Sequence, residues 1–181
     1  MTNLNDVDWS QIPAPQDDGA AAHLVGVKIA SVVLPATDAT AVNLASLAGT
    51  TVLYIYPMTG RPDVTLPDGW DDIPGARGCT PQSCSFRDHY MELTARGVDH
   101  LYGLSTQTSS YQAEAVERLH LPFALLSDDQ LDFAKAMNLP TFKTDGMTLL
   151  KRLTMIISDG TVIKTFYPVF PPDQNAADVI A

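Results

Sequence analysis

"TVLYIYP", residues 51–57, is the stretch that decides the fold class. β-Branched and aromatic side chains fill it without a regular apolar–polar alternation, the pattern of a central strand covered on both faces. Such a strand needs layers above and below it. The chain supplies them downstream: a strand over residues 98–106, a helix over 109–119, a strand at "FALLSD", a helix over 129–137, and two last strands at "LLKRLTMIIS" and "TVIKTFYPV". "SDG", residues 158–160, reads as the hairpin turn between those last two. Alternating strands and helices followed by an antiparallel hairpin predict an α/β protein with a central mixed β-sheet flanked by helices.

Upstream of the central strand the pattern is weaker. Residues 1–23 hold Pro13, Pro15 and several aspartates without apolar periodicity and read as a loosely held N-terminal arm; residues 24–181 form one domain. Two short strands are expected at 27–35 and 41–44, and "LASLAG" is a helical turn closed by Gly49. Residues 58–73 break every periodicity with Gly60, Pro62, Pro67 and Gly69, so they form a long loop, and long ordered loops in compact domains tend to be functional.

Charge and hydropathy narrow the function classes. The 181 residues carry a formal net charge of -10 at pH 7. A phosphate surface repels such a chain, so neither nucleic acid nor an anionic membrane is expected as a partner. No apolar run approaches the ~20 residues of a membrane span, and the acidic start lacks the basic and apolar regions of a signal peptide. A cytoplasmic protein is expected. Two cysteines make no disulfide framework, and in a reducing compartment such a pair is catalytic, redox-sensing or metal-binding more often than structural.

Both cysteines, Cys79 and Cys84, lie in "PGARGCTPQSCSF", residues 74–86, just ahead of a helical pattern from Thr80 to about Arg96. Cys84, Tyr90 or Met91, and Leu93 or Thr94 fall near its inner side. A cysteine at a helix start faces unpaired N–H groups and the positive end of the helix dipole, which favour thiolate over thiol. Cys79 stands there. Cys84 is five positions on, so on an ideal helix the two Cα atoms lie roughly 8–9 Å apart. A disulfide wants less than about 7 Å, so closure requires the first helical turn to unwind. Cys84 on its own also reads as a core residue. A zinc site drawing on His89, His100 or His120 has only a CxxxxC pair behind it, and the CxxC of thiol-disulfide oxidoreductases is missing.

"YIYP", "GCTPQSCSFRDHY" and "KRLTMIISDG" together resemble the peroxiredoxin Q (bacterioferritin comigratory protein) type of peroxiredoxin, over roughly residues 24–170. The resemblance implies a thioredoxin-like fold and a thiol peroxidase without metal or organic cofactor. By position it makes Cys79 the peroxidatic cysteine, Cys84 the resolving cysteine that closes an intrachain disulfide, and Arg152 the arginine that holds thiolate and peroxide. Hydrogen peroxide or an organic hydroperoxide is the implied substrate, and thioredoxin or a similar dithiol the implied reductant, for a monomer or weak dimer. Read from residues alone, Arg152 is equally an exposed strand arginine beside Lys151. Arg87 and Asp88 read as a structural pair.

One departure stands out. The family writes PxxxTxxC before the peroxidatic cysteine, whereas Asp72 and Ala76 occupy those positions here, and residues 60–73 separate Tyr56 and Pro57 from the cysteine turn. Either Pro57 and Thr59 still reach the site from the strand end, or another hydroxyl such as that of Thr80 replaces the family's threonine, or that hydroxyl is missing. A redox-sensing or thiol-disulfide exchange module built on the same cysteine pair is the alternative to an enzyme.

Overall fold

The computed structural model describes residues 6–181; the first five residues of the expected arm lie outside the described residues. β3 (Thr50–Ile55) is the middle of a five-stranded sheet, with β4 (His100–Ser105) and β5 (Leu125–Ser127) to one side and β8 (Leu153–Ser158) and β9 (Thr161–Phe166) to the other. β3, β4 and β5 run parallel; β8 and β9 are antiparallel additions. The mixed α/β sheet expected from the sequence is the one observed.

Both faces of β3 are covered. Val52, Tyr54 and Tyr56 face a layer containing α1 (Cys79–Asp88), α2 (Tyr90–Ala95), α3 (Ser109–Leu119) and α5 (Asn175–Ile180). Leu53 and Ile55 face α4 (Asp132–Met137) and the chain that precedes β3, which includes the hairpin of β1 (Val33–Pro35) and β2 (Ala41–Asn43). Phe86 of α1 stacks on Tyr54 with ring centroids 4.4 Å apart. A buried pair of this kind adds about 0.5–1.5 kcal/mol beyond its burial and fixes α1 on the sheet.

Four expectations are corrected. The single helix expected from Thr80 to Arg96 breaks at His89 (φ -97, ψ 6), where the ring nitrogen and the backbone N–H converge on the Ser85 carbonyl. Met91, after the break, points to solvent, and Leu93 is the buried residue. "LLKRLTMIIS" is not one strand: β7 (Met147–Leu150) pairs with β6 (Thr141–Thr144), and the chain changes partner at Lys151 and Arg152 before entering β8. The helix expected from 129 starts at Asp132, because the Asp128 carboxylate accepts the N–H groups of Phe133 and Ala134 at 3.0 and 2.8 Å. The strand expected over 27–35 shrinks to β1, with Lys28 making one bridge to Thr161. The helical turn expected at "LASLAG" is present, as a 3-10 turn over Leu44–Ser46.

The β6–β7 hairpin and α5 were not anticipated. The described part of the arm is tied down rather than loose. Trp9 Nε1 donates to Asp173 at 3.0 Å, and Asp18 accepts from Lys151 and from Tyr167, each at 2.7 Å. No helix among the described residues is long and apolar enough to cross a membrane.

Candidate active site

Cys79 is the first residue of α1, and Gly78 before it holds φ at 112°. A Cβ at Gly78 would lie 2.7 Å from both Pro172 Cγ and Trp9 Cη2, so only glycine fits the turn. Pro81 is accommodated because first-turn N–H groups have no intrahelical partner to lose. The chain thus delivers Cys79 to the end of a helix while its backbone is pressed beneath the N- and C-terminal segments.

Arg152 meets the thiol from the break between β7 and β8. Its Nη2 lies 3.2 Å from Cys79 Sγ and also donates to the carbonyls of Ala76 and Arg77 at 3.1 and 3.3 Å. Nη1 donates to Gln82 Oε1 at 2.5 Å. Gln82 Nε2 in turn donates to Asn175 Oδ1 at 2.9 Å, and the same oxygen accepts the Thr154 hydroxyl at 2.6 Å. Arg152 is 3% exposed, which removes the exposed-strand reading. Every acceptor just named is neutral. A buried cation surrounded by neutral acceptors lacks a counter-charge, and the ionisable group that its Nη2 touches is Cys79.

Cys84 is different. It is half-buried, and burial pushes its thiol above the ordinary range, with Asp88 adding and Arg87 and Arg118 opposing. Neither cysteine is in a disulfide. Both stand on α1, so the intact helix holds their Cα atoms roughly 8–9 Å apart.

A cavity of about 20 Å³ touches Cys79. Arg77, Thr80 and Pro81 form one side; Met58, Gly60, Leu66 and Trp70 form the other. The 58–73 segment therefore supplies part of the wall. Trp70 is buried against Phe142 of β6, and Asp71 holds the Arg77 guanidinium at 3.1 Å. Pro57 is buried at the end of β3 but does not line the cavity. Thr59 does not line it either: Gln107 clasps its backbone from both sides, at 2.8 and 3.1 Å, and its hydroxyl is buried with no partner among the described residues. Thr80 does line it. Ala76, where the family's threonine would stand, contributes its carbonyl to Arg152.

Gln82, Thr154 and Asn175 were not singled out from sequence. Gln82 was legible, since it lies three residues after Cys79 and so on the same helical face. Asn175 carries no such signal.

The family model described as Redoxin matches residues 24–180. The chain belongs to the redoxin family. Within it this is a peroxiredoxin of the Q/Bcp type. It is 27% identical over 176 residues to the chloroplastic peroxiredoxin Q of Triticum aestivum, covering 93% of this chain and 73% of that one. With peroxiredoxin Bcp of Escherichia coli it shares 37% identity over 97 residues, 53% of this chain and 52% of the relative. The crystal structure of peroxidoxin BcpB from Mycobacterium tuberculosis superposes with a TM-score of 0.70 at 26% identity, over 87% of this chain and 95% of that one. The thioredoxin-like fold implied by the cysteine motif is the fold of this peroxiredoxin.

Proposed function

We propose that this peroxiredoxin reduces hydroperoxides at Cys79 and regenerates the thiol through Cys84. The observation that carries the assignment is the 3.2 Å contact from a buried guanidinium to Cys79 Sγ at the start of α1. Burial leaves Cys84 protonated near neutral pH and poorly suited to attack a peroxide first.

The Cys79 thiolate forms a bond to the terminal oxygen of the hydroperoxide, the O–O bond breaks, and the electron pair goes to the departing oxygen. That oxygen takes the proton given up by the Cys79 thiol and leaves as water or an alcohol, with Cys79 left as sulfenic acid. Arg152 is placed to hold the thiolate and to stabilise charge on the leaving oxygen. Opening of α1 then lets the Cys84 thiol displace water from the sulfenic acid, giving the intrachain disulfide. Thioredoxin or a similar dithiol reduces that bridge by exchange and is itself oxidised.

The test is dimedone trapping on two variants, read by mass alongside stopped-flow peroxide consumption. Cys79→Ser abolishes consumption. Cys84→Ser consumes one equivalent at close to the original rate, leaves a trappable sulfenic acid at Cys79, and fails to turn over with thioredoxin. Trapping at Cys84 with fast consumption retained in Cys79→Ser reverses the roles; slow oxidation of the unaltered protein points to a sensor instead.

A further inference from the structure

Met58 and Gly60 bring the chain that leaves β3 to the wall of the Cys79 cavity, and Thr59 stands between them. No regular element holds this segment: β3 ends at Ile55, Pro57 follows, and residues 60–73 depart as a long loop. Thr59 is nevertheless buried. Its own hydroxyl has no partner among the described residues, so its backbone is what ties it down.

Gln107, just ahead of α3, meets both backbone groups of Thr59 with one amide. Oε1 accepts the Thr59 N–H at 2.8 Å and Nε2 donates to the Thr59 carbonyl at 3.1 Å. An antiparallel neighbour offers a strand residue the same pair of bonds, and here a side chain supplies them. Among side chains, a planar amide with donor and acceptor together belongs to asparagine and glutamine alone. Gln107 is itself fixed: its carbonyl accepts the Ser127 hydroxyl at 2.7 Å and Gln112 Nε2 at 2.9 Å. Gln112 Oε1 in turn accepts the Tyr56 hydroxyl. The bonds therefore close a ring, from Tyr56 through Gln112 and Gln107 to Thr59 and back along the chain. Tyr56, Thr59, Gln112 and Ser127 are all buried, where a hydrogen bond left unmade costs most.

We propose that Gln107 is a positioning residue for the peroxide step. It does not line the cavity; it acts through Thr59, setting how far the Met58–Gly60 wall stands from Cys79, Thr80 and Pro81. The proposal rests on the assignment of Cys79 as the peroxidatic thiol. Chain connectivity does not fix this wall, because residues 60–73 separate it from the cysteine turn, and Ala76 stands where the family's threonine would. The cavity holds about 20 Å³, little more than the roughly 10–15 Å³ one water needs. A wall displaced by about 1 Å therefore loosens the fit, and a misplacement of that size can cost about a hundredfold in rate.

The experiment follows tryptophan fluorescence in stopped flow as hydrogen peroxide oxidises the unaltered protein, Gln107→Leu and Gln107→Glu. The peroxide-dependent step reads attack by Cys79, and the concentration-independent step after it reads disulfide closure. Leucine removes both bonds to Thr59; glutamate keeps the shape and the acceptor but loses the donor. The second-order constant should fall roughly thirtyfold in Gln107→Leu and about fivefold in Gln107→Glu. Disulfide closure should stay within about twofold of the unaltered protein in both, since the clasp touches neither α1 nor Cys84. A fall of less than about twofold, or equal slowing of the two steps, overturns the positioning role while leaving Cys79 as peroxidatic. Should Gln107→Leu fail to fold, Gln107→Glu decides by the same two criteria. Absence of a fast peroxide-dependent step in the unaltered protein overturns the functional assignment itself.

Discussion

Asn175, on the C-terminal helix, and Arg152, between two strands, are joined through a single side chain: Gln82 accepts from the guanidinium at 2.5 Å and donates to Asn175 at 2.9 Å. All three are buried, so the hydrogen-bond network that reaches Cys79 extends to the last seven residues of the chain. Asn175→Ala leaves the Gln82 amide and the Thr154 hydroxyl without their acceptor, at about 1–3 kcal/mol of stability. Arg152 is then less firmly oriented, and the peroxide rate should drop about tenfold. A double-mutant cycle with Arg152→Lys separates orientation from general damage. If Asn175→Ala slows the Arg152→Lys protein by the same factor as the unaltered one, Asn175 supports the fold alone.

Arg152→Lys keeps a charge but loses the planar fork that donates to sulfur, Gln82 and two carbonyls at once. Stopped-flow rates should fall by about a hundredfold or more, the scale of losing one strong transition-state donor. A twofold fall contradicts the role given to the guanidinium.

Gly78→Ala forces a Cβ onto a residue at φ 112°, with Pro172 and Trp9 atoms at 2.7 Å. Left-handed backbone alone costs an L-residue roughly 1–2 kcal/mol, and the contacts add to it. The urea midpoint should drop and peroxide consumption should slow with it, because the turn also aims Cys79. An unchanged midpoint means that the terminal segments yield easily.

Hydrogen bonds from Lys151 and Tyr167 hold the Asp18 carboxyl well below the usual carboxylate range. A depressed carboxyl pKa stabilises the fold above the unfolded value of about 3.9, and that contribution fades as pH falls from there toward the folded value. Both partners are substantially exposed, so the effect is modest and screened by salt. Asp18→Asn should lower the urea midpoint slightly at pH 7, and the gap from the unaltered protein should narrow by pH 3. A gap that widens on acidification has the wrong sign for this pair.

The parts of this fold that were legible in the sequence are those set by local pattern. β3 announced itself because both of its faces are apolar, and Cys79 because a glycine turn and a proline-bearing first turn mark a helix start. Arg152 was placed on a strand because apolar residues surround it on both sides in the chain. What buries it is a change of strand partner, from β6 to β3, which leaves no trace in a period-2 pattern. The helix expected from Thr80 overran His89 for a related reason: the residues there suit a helix, and only one contested carbonyl ends it. Asn175 sits in a short helix without periodicity, and its importance comes wholly from what lies across the core. Residues 58–73 could be read as a loop, but not as one that docks on a hairpin nearly 70 residues further on.

The break at His89 gives the redox cycle a fixed stopping point. Closing a Cys79–Cys84 bridge requires the turn that carries both cysteines to come apart, upstream of Phe86, whose ring is stacked on Tyr54 while both thiols are free. Past His89, α2 is held by its own bonds, including Leu93 N–H to the His89 carbonyl at 2.9 Å. The N–H groups of residues 86–88 have their i→i−4 acceptors at residues 82–84, and the His89 N–H bonds to the Ser85 carbonyl. Unwinding those acceptors therefore leaves α1 without an intrahelical bond, and rewinding has to nucleate a new turn on the Phe86–Tyr54 stack, nucleation being the costly step in making a helix.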